Sequence, residues 1–279
     1  MKNLFDPRYI QAAIQGLNQA RITKGEGIGL FSATRFNPDK CKTKLTSGES
    51  QENANNYSLA WVRDTLKCSL YDFLAENYIQ SRLTISTLIK YFRKNTGIID
   101  LTIDSYHRKE SLRHDLHVIM PRMHPITLAP VHADKAKDLQ LDMAEILKYI
   151  ALLTYKNVWT PSCFDEISII EKLIRYFLAW NYSLNSKIPG DFGIWEEGRG
   201  GTTGSAIPEI HTSTIGAMVS GLLAINGCRM KAPNNTFYTI SVDESEISKG
   251  ISLVNDRLIT VGETESRKYD LASLITGQS

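Results

Sequence analysis

Apolar side chains recur at steps of three and four residues through most of this chain. Within residues 57–77, Leu59, Val62, Leu66 and Leu70 follow that spacing. The spacing places them on one face of an α-helix, which must pack against other helices. It predicts seven helices, over residues 7–20, 57–77, 81–94, 138–155, 163–182, 209–225 and 244–254. We therefore expect an all-α fold in which long loops carry the functional residues.

The segments between the predicted helices are polar, rich in glycine, or rich in proline and histidine. Mostly irregular loops are expected at residues 21–56, 96–137 and 189–204, and short strands at 236–242 and 258–261. Asp6 is the expected N-cap of the first helix, with Pro7 at its first position. Because no flexible linker divides the sequence, we expect one domain over residues 1–279.

The charge of the chain is nearly balanced, with 32 Lys and Arg against 30 Asp and Glu. No concentrated basic stripe interrupts this balance, which argues against a nucleic-acid partner or an anionic membrane surface. The longest apolar run, residues 215–225, is shorter than the roughly 20 residues that span a bilayer. The N-terminus lacks the hydrophobic core of a signal peptide, so a cytoplasmic protein is expected.

The cysteines and histidines do not form a recognisable metal-binding pattern. No two of the four cysteines lie within four residues of each other, which favours free thiols. Of the five histidines between residues 107 and 132, only His114 and His117 have helical spacing, without an HExxH motif. The glycines of residues 25–29 lack the ending of a phosphate-binding loop. No metal and no cofactor are expected.

Residues 191–198 form the most informative loop. Two carboxylates, Glu196 and Glu197, follow Trp195 between glycines. A carboxyl group packed against an aromatic face loses hydration, which raises its pKa and suits it to act as a general acid. The indole also offers a flat apolar surface of the kind on which sugar rings stack. The alternative is a tryptophan that anchors the loop beside two solvated glutamates.

A second candidate site lies near residue 60. Tyr57, Trp61 and Asp64 are four and then three residues apart, so they share one face of the predicted helix. The adjacent Arg63 could fix the Asp64 carboxylate or hold a ligand hydroxyl. An aromatic core stripe with a surface ion pair would produce the same pattern.

A third acidic residue, Asp142, opens the helix predicted at 138–155. An aspartate in a first helical turn is favoured by the helix dipole, which explains it without any ligand.

These motifs, in this order and on a helical background, resemble the glucoamylase family (glycoside hydrolase family 15). The sequence resembles still more the related domain of the phosphorylase kinase α and β regulatory subunits. The segments that carry the resemblance are AWVRD at residues 60–64, LQLD at 139–142, DFGIWE at 191–196 and the helix at 209–225. The similarity covers roughly residues 7–230, with a further match at 269–275.

The resemblance implies an (α/α)6 toroid of the six-hairpin glycosidase type, with a sugar site in its funnel. It implies that the terminal glucosyl unit is bound by Tyr57, Trp61, Arg63 and Asp64. It also implies that Glu196 is the general acid and that Glu197 hydrogen-bonds the sugar, and it adds Asp142 and Trp195 as substrate-binding candidates. Enzymes of this kind invert the anomeric carbon, since a second carboxylate activates water on the opposite face of the sugar.

The sequence departs from the family pattern in two ways. Ala136 occupies the position where family members usually have a tryptophan, and no general base can be located. The seven predicted helices fall short of the twelve that a toroid needs, so we expect an N-terminal half or somewhat more. An incomplete toroid would leave apolar faces uncovered, which predicts marginal stability or association with another copy or a partner through the open edge.

Three functions remain open from the sequence. The first is a hydrolase that acts on α-glucosidic ends of gluco-oligosaccharides or glucans, and it predicts glucose release by the gene product extended through the missing half. The second is a non-catalytic carbohydrate-binding or regulatory module. The third is a helical interaction protein in which the motifs occur by chance.

Overall fold

The computed structural model describes residues 7–32, 36, 59–131, 141–180 and 210–262 of the 279-residue chain. The helices are α1 (Pro7–Ala20), α2 (Val62–Leu74), α3 (Tyr78–Lys94), α4 (Thr96–His107), α5 (His114–His117), α6 (Glu145–Tyr155), α7 (Phe164–Ala179), α8 (Thr212–Ile225) and α9 (Glu244–Thr260). Two antiparallel strand pairs join β1 (Ala60–Trp61) to β2 (Arg122–Met123) and β3 (Arg229–Lys231) to β4 (Phe237–Thr239). A 3-10 turn, Leu141–Ala144, precedes α6.

The chain divides into two compact units, of which the first comprises Met1–Tyr91 and Arg122–His132. A small antiparallel ladder links its loops, because Ala60 pairs with Ser32 on one side and with Met123 on the other. The apolar core of this unit is fully buried and includes Leu30, Phe31, Val62, Ile85 and Leu88. The ladder fixes the point at which the chain enters α2.

The glycines of residues 25–29 allow close packing of the backbone within the first unit. Gly27 donates its backbone N–H to the carbonyl of Pro125, and a Cβ on Gly27 would lie 2.2 Å from that oxygen. Thr84 and Thr87 of α3 donate to the carbonyls of Gly29 and Ile28. The glycines therefore serve packing, which accounts for their spacing without a phosphate ligand.

The second unit comprises Phe92–Pro121 and Ala133–Ser279, and helix packing dominates it. Helix α8 contacts α6, α9 and the 3-10 turn, and it approaches the turn so closely that a Cβ on Gly221 would lie 2.6 Å from the carbonyl oxygen of Ala144. Helices α4 and α7 are joined by an ion pair between Asp100 and Lys172, whose closest atoms are 2.7 Å apart. Trp180 is fully buried at the end of α7.

Most helix predictions are confirmed, and α1 has the predicted bounds. The helix predicted over residues 57–77 begins later, at Val62, because the backbone of Ala60 and Trp61 pairs with β2. The expectation that Trp61 and Asp64 share a helical face is therefore wrong. Tyr57 and Asp6 lie outside the described residues.

The prediction of a mostly irregular segment at residues 96–137 is wrong in part, and the prediction of a strand at 258–261 is wrong. Helix α4 occupies the start of the segment expected to be irregular, because Ile99, Thr102 and Ser105 recur every three residues and are buried. Residues 258–261 are not a strand, because α9 continues to Thr260. The N-cap of α9 is Asp243, whose side chain accepts a hydrogen bond from the backbone N–H of Ser245. The predicted strand at 236–242 is confirmed in part as β4, and its partner β3 was not predicted.

Among the helices of the described residues, none combines the length and apolar character that a bilayer crossing requires.

Candidate functional site

Three of the predicted site residues meet where β1 becomes α2. Trp61 is the last extended residue before the helix, and Arg63 and Asp64 belong to its first turn. Trp61 and Arg63 are 7% and 8% exposed, whereas the Asp64 side chain is 38% exposed. The Nε of Arg63 lies 3.3 Å from Oδ1 of Asp64. An aromatic residue, a guanidinium and an accessible carboxylate thus lie within four consecutive residues, and the last two are in contact.

The position of Asp64 suits a ligand-binding carboxylate. Its negative charge lies at the N-terminal end of α2, where the helix dipole stabilises it. The Arg63 guanidinium pairs with one oxygen of this carboxylate, which leaves Asp64 with acceptor capacity toward solvent. Paired donors and acceptors of this kind can hydrogen-bond the vicinal hydroxyl groups of a sugar.

Arg122 is a further member of this site that the sequence did not reveal. It lies directly opposite Trp61 in the β1–β2 pair, and its guanidinium carbon is 5.5 Å from the centroid of a Trp61 ring. Arg122 is 4% exposed, so the contact is buried. No motif marks Arg122, because its neighbour in space lies far away along the chain.

A buried ion pair holds α2 near its C-terminal end. Nη2 of Arg21 lies 2.7 and 2.8 Å from the two carboxylate oxygens of Asp72, and the Arg21 guanidinium also lies over the Phe31 ring. Thr65, one residue after Asp64, contacts the backbone of Phe31 through its hydroxyl group. The start of α2 is therefore anchored to the ladder by polar contacts as well as by packing.

Cys68 lies one helical turn after Asp64, and the nearby charges influence the pKa of its thiol. Burial raises the pKa of the Cys68 thiol to about 11, helped by the negative charges of Asp64 and Asp72 and opposed by Arg21. The thiol therefore stays protonated near neutral pH, which disfavours a nucleophilic role.

The structure does not describe the side chains of the remaining predicted site residues. Tyr57, Trp195, Glu196 and Glu197 lie outside the described residues, as does Ala136. Asp142 lies in the 3-10 turn, and the structure describes its backbone only. Their roles rest on the sequence.

Two of the described histidines, His117 and His124, have structural partners. His117 is buried, with Nδ1 at the backbone of Arg113 and Nε2 3.2 Å from the hydroxyl of Ser105. The Nδ1 of His124 instead accepts backbone hydrogen bonds from Ile126 and Thr127. Over the described ranges, no three His, Cys, Asp or Glu residues are grouped in a way that could hold a metal ion.

Comparison with known proteins adds information on the fold. No protein-family model matches the sequence. The chain is 27% identical over 177 residues to the probable phosphorylase b kinase regulatory subunit beta of Drosophila melanogaster. That match covers 62% of this chain and 15% of the relative, so the chain spans a small part of the regulatory subunit.

Three solved glycosidase structures have a similar fold. A variant enzyme matches with a TM-score of 0.58 and 13% identity, a variant in complex with glucose with 0.58 and 14%, and a wild-type enzyme with 0.55 and 15%. Each match covers 91% of this chain and 56% of the glycosidase chain. This chain has a glycosidase-type fold.

The fold comparison confirms the predicted fold class, an all-α architecture of the helical toroid type found in these glycosidases. Similarity to a phosphorylase kinase regulatory subunit, expected from the motifs, is confirmed as well. Identities of 13–15% establish the fold and not the chemistry of the site.

Proposed function

We propose that this protein binds the α-glucosyl ends of gluco-oligosaccharides at the junction of β1 and α2. The observation that carries the proposal is the contiguous arrangement of Trp61, Arg63 and the accessible carboxylate of Asp64. The accessible Asp64 carboxylate would accept hydrogen bonds from the sugar hydroxyls, and the small exposed part of Trp61 would contact the sugar ring. A glycosidase of similar fold in complex with glucose supports a carbohydrate ligand.

We further propose that the protein is a glucoamylase-like, inverting glycoside hydrolase of family 15 type. In this proposal Glu196 protonates the glycosidic oxygen, Glu197 hydrogen-bonds the sugar, and Tyr57, Asp142 and Trp195 complete the binding site. Desolvation beside Trp195 would hold the Glu196 carboxyl in its acid form. Its support is the sequence motif at residues 191–196 together with the glycosidase-type fold.

A non-catalytic carbohydrate-binding module is the second candidate. It is favoured by the similarity to a phosphorylase b kinase regulatory subunit and by the absence of an identifiable general base from the motifs. In this case Trp61 and Asp64 would bind sugar in the same way, and Glu196 would carry no acid–base role.

Calorimetric titration of the 279-residue protein with maltotriose tests sugar binding. We expect the wild-type protein to bind, and Asp64→Asn to weaken binding by roughly tenfold because it removes a charged hydrogen-bond acceptor. Asp165→Asn is the matched control, since Asp165 also lies exposed in the first turn of a helix, α7. Absence of maltotriose binding by the wild-type protein would refute the proposed function and leave the helical interaction protein.

Glucose release from maltotriose then separates the two candidates. Release by the wild-type protein and its loss in Glu196→Gln, with maltotriose binding retained, would support the hydrolase. Binding without release, both by this chain and by any longer product of the gene, would support the non-catalytic module. A Glu196→Gln protein that still released glucose would exclude Glu196 as the general acid.

A further inference from the structure

The contact between Trp61 and Arg122 joins the proposed sugar site to a second strand. Opposed residues of an antiparallel pair project their side chains to the same side of the sheet. Trp61 and Arg122 are such a pair, and the guanidinium carbon lies 5.5 Å from the ring centroid. At this distance the positive charge is attracted to the face of the indole, and burial strengthens that attraction.

The Arg122 side chain is itself held in place. Its Nε donates to the carbonyl of Val131 at 3.3 Å, and the Val131 backbone N–H donates back to the carbonyl of Arg122 at 3.2 Å. The turn between them is closed by a hydrogen bond from the His124 N–H to the carbonyl of Ala129. The guanidinium is thus presented to Trp61 from a tightly turned segment.

We propose that Arg122 is a positioning residue of the sugar site, acting by fixing the plane of the Trp61 ring relative to Asp64. This inference rests on the proposed function. A glucosyl unit that contacts the ring while it hydrogen-bonds the carboxylate needs both groups in one arrangement, so a ring held in advance lowers the cost of binding. Arg122 thereby supports sugar affinity through Trp61.

A purely structural role for Arg122 makes a different prediction. If Arg122 only tied β2 to the segment around Val131, its replacement would change protein stability, and any effect on sugar affinity would be independent of Trp61. A double-mutant cycle between Arg122 and Trp61 distinguishes these roles, because residues that act through one another are not additive.

The cycle uses maltotriose affinity measured by calorimetry on the full 279-residue chain. We expect Arg122→Met to weaken binding roughly three- to tenfold, the range of a partly buried guanidinium–aromatic contact. Arg122→Lys, which retains the charge but loses the planar group, should show an intermediate loss. In a Trp61→Ala background, Arg122→Met should cause no further loss.

Arg229→Met is the matched control, because the Arg229 guanidinium lies 4.0 Å from the Phe237 ring centroid in the β3–β4 pair. It should leave maltotriose affinity unchanged. The near-UV circular dichroism of Trp61, obtained as the difference between wild type and Trp61→Ala, should decrease in Arg122→Met and persist in Arg229→Met. If Arg122→Met does not fold, Arg122→Lys takes its place in the cycle.

The outcomes distinguish a failure of the proposed function from a failure of the inference about Arg122. A wild-type protein that does not bind maltotriose overturns the proposed function and this inference with it. If the wild-type protein binds maltotriose and Arg122→Met binds it with equal affinity, the inference about Arg122 is overturned and the proposed function is not. An equal loss on replacing Arg122 in the wild-type and Trp61→Ala backgrounds also overturns it, because Arg122 would then act independently of Trp61.

Discussion

The guanidinium of Arg21 donates to both carboxylate oxygens of Asp72, at 2.7 and 2.8 Å, inside the first unit. The two side chains are only 9% and 8% exposed, so the pair is shielded from water. It joins the end of α1 to α2, the helix that begins at the proposed sugar site. A buried pair of this kind costs desolvation energy, but removing one partner leaves an unpaired charge, which is worse.

Replacement of Asp72 by alanine should therefore destabilise the protein strongly. We expect Asp72→Ala to lower the free energy of unfolding by about 3–5 kcal/mol, because the Arg21 charge stays buried without its carboxylate. Urea unfolding followed by circular dichroism measures the loss. Glu110→Ala, which breaks the exposed pair with Arg108, should leave the unfolding midpoint unchanged. An Asp72→Ala protein as stable as wild type would contradict this account.

A methyl group at Gly27 should be poorly tolerated. The added Cβ would meet the Pro125 carbonyl oxygen at 2.2 Å, so the backbone must shift, at a cost of about 1–3 kcal/mol. Gly16→Ala is the control, since nothing lies within 4 Å of its Cβ position in α1, and it should stabilise by up to about 1 kcal/mol. Thermal unfolding of the two variants should therefore shift in opposite directions.

Alkylation of Cys68 should depend steeply on pH. Only the thiolate reacts, and the raised pKa of about 11 means that the rate should rise about tenfold per pH unit between pH 8 and 10. Because the Asp64 charge contributes to that rise in pKa, Asp64→Asn should react faster than wild type at pH 8.5. Peptide mass spectrometry after iodoacetamide treatment measures both rates. Equal rates in the two proteins would show that Asp64 does not influence the thiol.

The hydroxyl of Tyr176 should matter for the stability of the second unit. It accepts the backbone N–H of Ile119 at 3.1 Å, and both residues are fully buried. Tyr176→Phe leaves that N–H without its acceptor, which should cost about 1–3 kcal/mol in a urea titration. The same substitution at Tyr155, which is 77% exposed, should be close to neutral. Comparable stability of the two variants would argue against a net contribution from the Ile119 hydrogen bond.

The sequence predicted the local features of the fold well and the long-range ones poorly. Helix α1 follows from its own apolar spacing and has the expected bounds. The start of α2 could not be found in the same way, because Ala60 is extended through its pairing with Ser32 and Met123. The spacing of apolar residues within a short stretch of sequence contains no information about strand partners far away along the chain.

The same distinction applies to the candidate site. Trp61, Arg63 and Asp64 are close in sequence, so one motif could identify them even though the expected helical face was wrong. Arg122 belongs to a different segment of the chain. It comes next to Trp61 only because β2 pairs with β1. The roles proposed for Glu196 and Asp142 stay predictions from the sequence.

The β1–β2 pair has a consequence for synthesis on the ribosome. Trp61 meets its partner only after about sixty further residues have been made, since the pairing is strongly non-local. A nascent chain that has emerged only as far as α3 exposes this tryptophan without its opposing strand, and a chaperone that shields apolar segments would find a target there. The proposed ligand-binding surface is thus completed only when β2 has emerged, well after the helix that bears it.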